Sequence, residues 1–249
     1  MRNEGEPLLW HRVKREVRRL SAGNLEIFNK LRGLLLRNLS IRGLYLRFLA
    51  GRITFVNAQG TRSLATIVQI PGQTDPFYSP FNKGIANALC AAGYRVVRFD
   101  FKGQAINQAK HKLTDREVDA FCEQLIHRCQ QLSRASNTPL ILVGKSLGGA
   151  IVTKALNRTG AAGCVVLGYP FHKEGSQWDR LSHLQDIRKP VFIIQGEDDR
   201  YGDKNLGTGL TLSESINVVW IAQARHGFKH HMPALKDALV GACQTLLNG

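Results

Sequence analysis

LILVGKSLGGA, residues 140–150, contains two overlapping motifs that predict different kinds of protein. Its G-K-S resembles the end of the phosphate-binding loop G-x-x-x-x-G-K-[ST], whereas G-x-S-x-G, centred on Ser146, is the turn that presents a serine nucleophile. The phosphate loop needs a glycine at position 139, where this chain has a proline. It also needs a flexible loop where this chain has Leu-Ile-Leu-Val, the pattern of a buried strand. The stretch therefore predicts a nucleophilic serine and excludes this type of nucleotide site.

The residues on either side of Ser146 fit a strand, a sharp turn and a helix. The apolar residues before the turn predict a strand, and the small residues after it predict a helix packed closely on that strand. Glycines are required at 144 and 148 because the nucleophile takes a strained conformation in which strand and helix crowd each other. Chance matches to this motif are common, so the prediction depends on the pattern of the whole chain.

From residue 63 onward, short apolar runs alternate with amphipathic segments that have helical spacing. Several of these runs are continuously apolar, as expected of strands covered on both faces of a parallel sheet. The alternation predicts a three-layer α/β fold, in which right-handed crossovers place helices on both sides of a mostly parallel sheet. The predicted strands are 64–70, 95–99, 140–143, 164–167, 191–195 and 217–221, and the predicted helices are 81–91, 118–132, 147–157 and 234–247.

Two later loops contain the partners that a serine nucleophile requires. A serine hydroxyl reacts readily only when a histidine accepts its proton and an acid orients that histidine. In a fold of this kind both partners come after the serine, each just past a later strand. The run VFIIQ is followed by Asp198 and Asp199, of which Asp199 is the preferred acid and Asp198 the alternative. The next strand is followed by His226, where Gly-Phe lets the loop turn inward, so the predicted catalytic residues are Ser146, Asp199 and His226.

Two backbone N–H groups are predicted to form the oxyanion hole. In such folds one comes from the residue after the nucleophile and the other from the loop after an early strand. The first is Leu147, and the second is assigned to Gln73 in the segment IPGQTDP. Loss of one such donor typically lowers turnover about a hundred- to a thousand-fold.

Length and composition bound the kind of protein. A chain of 249 residues accommodates one large domain with a substantial core, or a domain with an appendage. The five cysteines are dispersed without C-x-x-C spacing, which predicts buried, reduced thiols and no metal site. The first residues lack the apolar core of an export signal, and no apolar run has the length of a membrane span. These features predict a cytoplasmic protein.

Taken together, the motifs of this chain resemble those of the α/β-hydrolase superfamily, most closely its small dienelactone-hydrolase-like branch. Members of that branch typically carry an H-G-x-G loop with a later S-P-F, a V-x-R-F-[DEN]-F strand, a G-[KR]-S-[ML]-G-G elbow, L-G-Y-P-F-H, Q-G-x-x-D and a late histidine. The likeness covers roughly residues 63–247. The matching segments are S-P-F at 79–81, V-R-F-D-F at 97–101, G-K-S-L-G-G at 144–149, L-G-Y-P-F-H at 167–172, Q-G-E-D-D at 195–199 and H-G-F at 226–228.

The resemblance implies an α/β-hydrolase fold and supports Asp199 over Asp198 as the acid. The implied activity is hydrolysis of an ester, thioester or related acyl bond of a small substrate through an acyl-enzyme, with no metal and no organic cofactor. The chain departs from the family at 71–74, where Pro-Gly-Gln-Thr replaces His-Gly-x-Gly. This departure favours the alternative hypothesis, a binding or scaffold protein that keeps the fold without the chemistry.

The segment 171–189 lies where hydrolases of this superfamily insert a lid. It is only about twenty residues long, which predicts an open pocket and a small soluble substrate rather than a long-chain lipid. Phe171 and Trp178 are the candidates for the lining of that pocket.

Residues 1–52 form a basic, arginine- and leucine-rich extension ahead of the α/β-hydrolase domain predicted at 53–249. The extension holds twelve lysines and arginines against four glutamates, about half of the chain's formal net charge of +15. Two interpretations stay open: a packed or dimer-forming segment with a solvated basic face, or contact with an anionic membrane surface. Nucleic acid is not an expected partner, because aliphatic residues outnumber what a nucleic-acid arm needs. The sequence makes no prediction of the oligomeric state.

Overall fold

The computed structural model describes residues 53–56, 63–73, 79–99, 113–135, 137–172, 179–202 and 210–248, so the basic extension lies outside the described residues. Within the described ranges a seven-stranded sheet is flanked by four helices, which confirms the predicted α/β-hydrolase architecture. The strands are β1 (Ile53–Val56), β2 (Thr66–Ile70), β3 (Arg95–Phe99), β4 (Leu140–Lys145), β5 (Gly163–Leu167), β6 (Val191–Gly196) and β7 (Ile216–Ile221). The helices are α1 (Pro80–Ala91), α2 (Asp115–Ala135), α3 (Leu147–Ala155) and α4 (Met232–Asn248).

The sheet has the strand order β1-β3-β2-β4-β5-β6-β7. β1 is antiparallel to β3, and every other neighbouring pair is parallel. All residues of β2, β4 and β5 are buried, because these central strands are covered by helices on both faces. Their continuous burial explains why apolar residues dominate these strands in the sequence, with Thr66, Gln69 and Lys145 as buried polar exceptions.

The helices cover the sheet in two layers with separate hydrophobic cores. One core contains residues of α2 and α3, such as Phe121 and Ile151, and the other contains residues of α1 and α4, such as Ile85 and Leu239. The start of α2 is marked by a capping box: the Thr114 N–H donates to Glu117 Oε2 over 2.9 Å, and the Glu117 N–H donates to Thr114 Oγ1 over 3.4 Å. The buried residues of α2 recur at helical spacing along one face: Val118, Phe121, Cys122, Leu125, Ile126, Cys129 and Leu132.

Element boundaries differ from the predictions in places where local packing decides them. β2 begins at Thr66 rather than at Leu64, whose side chain is 54% exposed. The α-helix after the elbow ends at Ala155 and continues as a 3-10 turn over Leu156–Arg158. β1, a four-residue strand at the edge of the sheet, was not predicted from the sequence. Short edge strands carry little periodic signal, so they are the hardest elements to recognise from a sequence.

The structure can be compared with two further predictions from the sequence, that the cysteines are buried and that no segment has the length of a membrane span. Four of the five cysteines are buried, and burial raises the pKa of the Cys122 thiol to about 12. A thiol in such surroundings is chemically inert. None of the helices in the described part of the chain has both the length and the apolar character needed to cross a membrane.

The parallel register gathers the carboxyl ends of four strands at one edge of the sheet. Lys145 of β4 lies opposite Leu167 of β5, which lies opposite Ile194 of β6. Gly196 of β6 in turn lies opposite Ile221 of β7. The loops that follow these strands therefore begin side by side, and they contain all three predicted catalytic residues.

Candidate active site

Ser146 occupies a strained turn between β4 and α3. Its backbone angles are φ 51° and ψ −116°, a region that non-glycine residues rarely adopt and that costs about 1–3 kcal/mol. Two backbone hydrogen bonds hold the turn: the Ser146 N–H donates to the Leu167 carbonyl, and the Ala150 N–H donates to the Ser146 carbonyl, both over 3.1 Å. The strain is thus maintained by the neighbouring strand on one side and by the first turn of α3 on the other.

The predicted glycines on either side of Ser146 stand where no side chain fits. A Cβ atom added to Gly144 would lie 2.5 Å from the carbonyl oxygen of Gly148. One added to Gly148 would lie 2.5 Å from the carbonyl oxygen of Pro71, in the loop after β2. Real Cβ atoms essentially never approach backbone so closely, so these two glycines allow β4, α3 and the β2 loop to meet.

The structure brings the side chains of Ser146, His226 and Asp199 into one hydrogen-bonded chain. The distance from His226 Nε2 to Ser146 Oγ is 2.9 Å, and the distance from His226 Nδ1 to Asp199 Oδ2 is 2.7 Å. The Asp199 side chain is fully buried and that of His226 is 20% exposed. Asp198, the alternative acid, is exposed. With Nδ1 donating to the carboxylate, Nε2 is left to accept the serine proton.

The Asp199 carboxylate is surrounded by N–H groups. Oδ1 accepts a hydrogen bond of 2.9 Å from the Tyr201 N–H. Oδ2 accepts one of 2.9 Å from Gln195 Nε2, in addition to its contact with His226. A charged group can be buried when its oxygens are hydrogen-bonded in this way. The Tyr201 ring also meets the His226 ring edge-on, with centroids 4.7 Å apart.

Lys145 connects the elbow to the loop that carries the histidine. Its Nζ donates to the carbonyl oxygen of His226 over 2.8 Å and lies 5.9 Å and 5.7 Å from the ring centroids of Phe81 and Phe228. Phe228 is fully buried and has a positive φ of 50°, so it closes the turn just after the histidine. In the sequence Lys145 is recognisable only as part of the elbow motif, so this contact was not predicted.

Gly168 lies directly behind the acid and the histidine. A Cβ atom at this position would stand 3.2 Å from His226 Nδ1 and 3.4 Å from Asp199 Oδ2, and the backbone has φ +67°. Both facts favour glycine here. In the sequence this position was marked only as the glycine of the L-G-Y-P-F-H segment. The need for glycine there becomes evident only from its contacts with His226 and Asp199 in the fold.

The structure describes three of the four other predicted site residues. Leu147 is buried and begins α3, so its N–H has no partner within the helix. Gln73 is half-buried in the loop after β2. Phe171 packs in the core against Tyr169, with ring centroids 4.7 Å apart, and Trp178 lies outside the described residues. The two backbone donors and the pocket lining therefore stay predictions.

Across the residues that the structure describes, no three His, Cys, Asp or Glu side chains are grouped so that they could hold a metal ion.

The family of this chain follows from a comparison with known protein families. The profile of the alpha/beta hydrolase domain matches residues 65–237, well over half of the chain. The chain belongs to this family. The matched range includes all three residues of the hydrogen-bonded chain. The profile describes the α/β hydrolase domain as a whole, so the narrower likeness to dienelactone hydrolase stays a prediction.

Solved structures of several other proteins share the fold. Est1E from Butyrivibrio proteoclasticus, determined with ferulic acid bound, superposes with a TM-score of 0.65 at 14% identity, over 83% of this chain and 100% of that one. An alpha-beta serine hydrolase homologue from Coxiella burnetii gives 0.59 at 20% identity, over 82% and 99%. A serine hydrolase without a lid from Xanthomonas campestris gives 0.61 at 21% identity, over 83% and 94%. Identities this low establish the fold and leave the substrate open.

Proposed function

We propose that this α/β hydrolase is a serine hydrolase that cleaves an ester, thioester or related acyl bond of a small molecule. The observation that carries the proposal is the continuous chain from Ser146 Oγ through the His226 ring to Asp199 Oδ2, with distances of 2.9 Å and 2.7 Å. A strained serine, a histidine within hydrogen-bonding reach and a buried acid are the parts that acyl transfer requires. A protein that only binds ligands has no need of this arrangement.

In the proposed first half-reaction, Ser146 Oγ attacks the carbonyl carbon of the substrate while His226 Nε2 accepts the hydroxyl proton. Asp199 stabilises the imidazolium that forms and keeps the ring in the tautomer with a proton on Nδ1. The tetrahedral intermediate then collapses. The protonated histidine gives its proton to the departing alcohol or thiol, and the acyl group remains on the serine.

In the proposed second half-reaction, water replaces the leaving group. His226 Nε2 accepts a proton from this water, the hydroxide attacks the acyl carbon, and the proton returns to Ser146 Oγ as the carboxylic acid departs.

In both half-reactions, stabilisation of the negative charge that develops on the carbonyl oxygen is assigned to the backbone N–H groups of Leu147 and Gln73. The position of Leu147 at the first residue of α3 supports its part, because the positive end of the helix dipole points toward the charge.

A small substrate is proposed because the segment between β5 and β6 is short. Its described part contains a single 3-10 turn, Ser182–Asp186, and it is anchored to the core through the fully buried Leu184. The likeness to a Xanthomonas hydrolase without a lid agrees with an open site. The Est1E structure with ferulic acid bound makes aromatic acyl esters a sensible class to include in a substrate screen.

Labelling with a fluorophosphonate probe tests the proposal, because the probe reacts with an activated serine whatever the natural substrate is. We expect the purified protein to be labelled, and Ser146→Ala and His226→Ala to lose labelling. An active protein is then screened with p-nitrophenyl acetate, butyrate and palmitate, methyl ferulate and an acyl thioester, with a preference expected for the short and aromatic esters. A folded protein that the probe does not label would overturn the proposal and favour the scaffold hypothesis.

For residues 1–52 we propose contact with an anionic membrane surface. The excess of arginine and lysine, interleaved with leucine, isoleucine and phenylalanine, supports this, since each basic residue near such a surface contributes about 1 kcal/mol. The test is co-sedimentation with phosphatidylcholine vesicles, with and without phosphatidylserine, for the full chain and for a chain lacking residues 1–52. Binding that needs both phosphatidylserine and the extension is the expected result. Failure of the full chain to bind would favour the packed or dimer-forming segment.

A further inference from the structure

Gln195 lies next to the candidate active site and has no part in the mechanism proposed so far. It is the fifth residue of β6, is fully buried, and extends its side chain toward the loop that carries Asp199. Besides Asp199 Oδ2, its amide group contacts three backbone groups: the N–H and the carbonyl of Tyr169 and the carbonyl of Gly202. These partners belong to the loops after β5 and β6, so one side chain connects both loops.

The orientation of the Gln195 amide is determined by its neighbours. Oε1 accepts a hydrogen bond of 2.7 Å from the Tyr169 N–H, which can only donate. Nε2 lies 2.9 Å from Asp199 Oδ2, 2.9 Å from the Gly202 carbonyl oxygen and 3.2 Å from the Tyr169 carbonyl oxygen. A backbone carbonyl and a carboxylate can only accept, so the nitrogen must face these three oxygens. A carboxylate at this position would place oxygen against oxygen.

The contact with Oδ2 bears directly on the acid. Oδ2 is the oxygen that His226 Nδ1 approaches at 2.7 Å, while Oδ1 accepts from the Tyr201 N–H. The Gln195 side chain and the Tyr201 backbone N–H therefore each donate a hydrogen bond to one oxygen of Asp199, and together they oppose rotation of the carboxylate. Because the histidine takes its orientation from the acid, a rotation of the carboxylate would move Nε2 away from the serine.

We propose that Gln195 is a positioning residue for the acyl transfer, in that it holds the Asp199 carboxylate in the rotation that aligns His226 with Ser146. The inference rests on the proposed hydrolase function. Gln195 itself touches no reacting atom. The titratable and charged groups that surround the pair are His226, Tyr169, Tyr201, Arg180, which is buried near both tyrosines, and Arg200, whose guanidinium stacks on Tyr201.

Gln195→Met is the first test, because methionine fills a similar volume without a donor. The readout is the second-order rate of fluorophosphonate labelling, normalised to the folded fraction from circular dichroism. We expect a fall of about 10- to 100-fold, since small misplacements of catalytic groups have effects of that size. In ester turnover kcat should fall by the same factor while KM stays within about twofold.

Gln195→Glu is the discriminating test, because its side chain has the same shape and can donate to Asp199 only while it is protonated. A carboxyl group next to another carboxylate in a buried site titrates above its ordinary range of about 4.3. The ratio of the labelling rate of Gln195→Glu to that of the unsubstituted protein should therefore fall by tenfold or more between about pH 5 and about pH 8. A side chain that serves only stability would lower the rate by a factor independent of pH. Should Gln195→Met fail to fold, this variant at the acid end keeps the test decisive.

Gln69 offers a matched control. It is buried on β2, and its Nε2 donates to the Asn82 carbonyl oxygen over 3.0 Å, away from Asp199. Gln69→Met and Gln69→Glu remove a buried amide from the same sheet, but this amide bonds to Asn82 and not to Asp199. The labelling rates of these variants relative to the unsubstituted protein should therefore not vary with pH.

The outcomes separate this inference from the function on which it rests. Labelling that persists in Ser146→Ala would overturn the proposed function itself. Labelling that depends on Ser146 but is unchanged in Gln195→Met, or a rate ratio for Gln195→Glu that is flat with pH, would overturn the positioning role and leave the hydrolase function intact.

Discussion

The turn that holds Ser146 and the loops that hold Asp199 and His226 are stabilised by different forces. Around the serine, backbone packs against backbone so closely that Gly144 and Gly148 leave no room for a methyl group. Around the acid and the histidine, side chains and N–H groups form a network of hydrogen bonds centred on the buried Asp199 carboxylate. The first region is sensitive to added atoms, and the second is sensitive to lost or reversed hydrogen bonds.

This difference separates two ways in which the site can fail. Overpacking at the turn should lower the free energy of unfolding, because strand, helix and loop must move apart together. A change in the acid–histidine network should lower the reaction rate of a protein that remains folded. Four substitutions or conditions test this separation, from the largest expected effect to the smallest.

Asp199→Asn should cause the largest loss. The asparagine amide would make His226 Nδ1 an acceptor, so Nε2 would carry the proton and could not accept another from the serine. The corresponding change in serine proteases lowers kcat about 10⁴-fold, or about 5.5 kcal/mol. Steady-state ester hydrolysis measures this, with the exposed Asp198→Asn as control, for which kcat should stay within about twofold. A larger loss in the control would identify Asp198 as the acid.

Gly144→Ala should destabilise the protein by about 3 kcal/mol or more, because the new methyl group meets the backbone of α3, which cannot move aside cheaply. Urea unfolding measures the change. Gly241→Ala is the matched control: nothing lies within 4 Å of a Cβ there, and the site is in the exposed part of α4. Alanine in a helix is favoured over glycine by about 0.5–1 kcal/mol, so this control should be more stable. Equal stability of the two variants would contradict the packing argument.

Acidic pH should lower the free energy of unfolding through His183, which lies against α3. Burial, with a smaller contribution from the nearby Lys154, lowers the pKa of His183 to about 4, and its Nε2 lies 3.0 Å from Thr153 Oγ1 of α3. The folded-state pKa is below the ordinary 6.5, so the unfolded chain binds a proton first as the pH falls. Stability should therefore be unaffected above about pH 6.5 and should decrease between about pH 6.5 and about pH 4, by at most about 3 kcal/mol.

Urea unfolding of His183→Gln across this range measures that contribution. The substitution keeps a group that can bond to Thr153 but removes the titration, so the loss of stability toward low pH should become smaller. Asp179 and Asp186, which raise the pKa of His183, are retained in the variant. The exposed His230→Gln serves as control and should keep the acid sensitivity of the unsubstituted protein. An unchanged pH profile in His183→Gln would rule out this residue as the cause.

Lys145→Met should have the smallest effect, about tenfold on kcat, because it removes one hydrogen bond to the backbone of the histidine loop and keeps the packing between Phe81 and Phe228. Lys154→Met is the control, since this lysine of α3 pairs with Asp119 at 2.8 Å near the surface. Surface ion pairs contribute little, so kcat of the control should be unchanged. Ester kinetics on both variants decide whether Lys145 belongs to the hydrogen-bonded network.

The residues of the hydrogen-bonded chain could be named from the sequence because each stands next to a recognisable strand end. Ser146 lies in a motif with a required strand before it and a helix after it. Asp199 and His226 each follow an apolar run, and parallel strands bring their carboxyl ends to one edge. The choice between Asp198 and Asp199 needed either the resemblance to a family or the structure, since neighbouring residues in a turn have no periodic signal.

The roles of Gln195, Lys145 and Gly168 could not be predicted in this way. Each depends on what a side chain or a bare backbone position meets across two or three loops, and the sequence contains no measure of those distances. Lys145 occupies a variable position of the motif that presents Ser146, so the motif assigns it no role. Gln195 lies in a strand whose other residues are apolar. β1 was missed because four residues at a sheet edge carry almost no pattern.

By itself, therefore, the sequence determined the alternation of strands and helices, the position of the strained serine and the chain order of its partners. These follow from local rules of periodicity, turn geometry and the parallel connection of strands. The tertiary structure alone decided which donors surround Asp199, which cation reaches the carbonyl oxygen of His226, and where an added methyl group would meet backbone. Such contacts join residues far apart in the chain, so they exist only once the sheet has brought its carboxyl ends together.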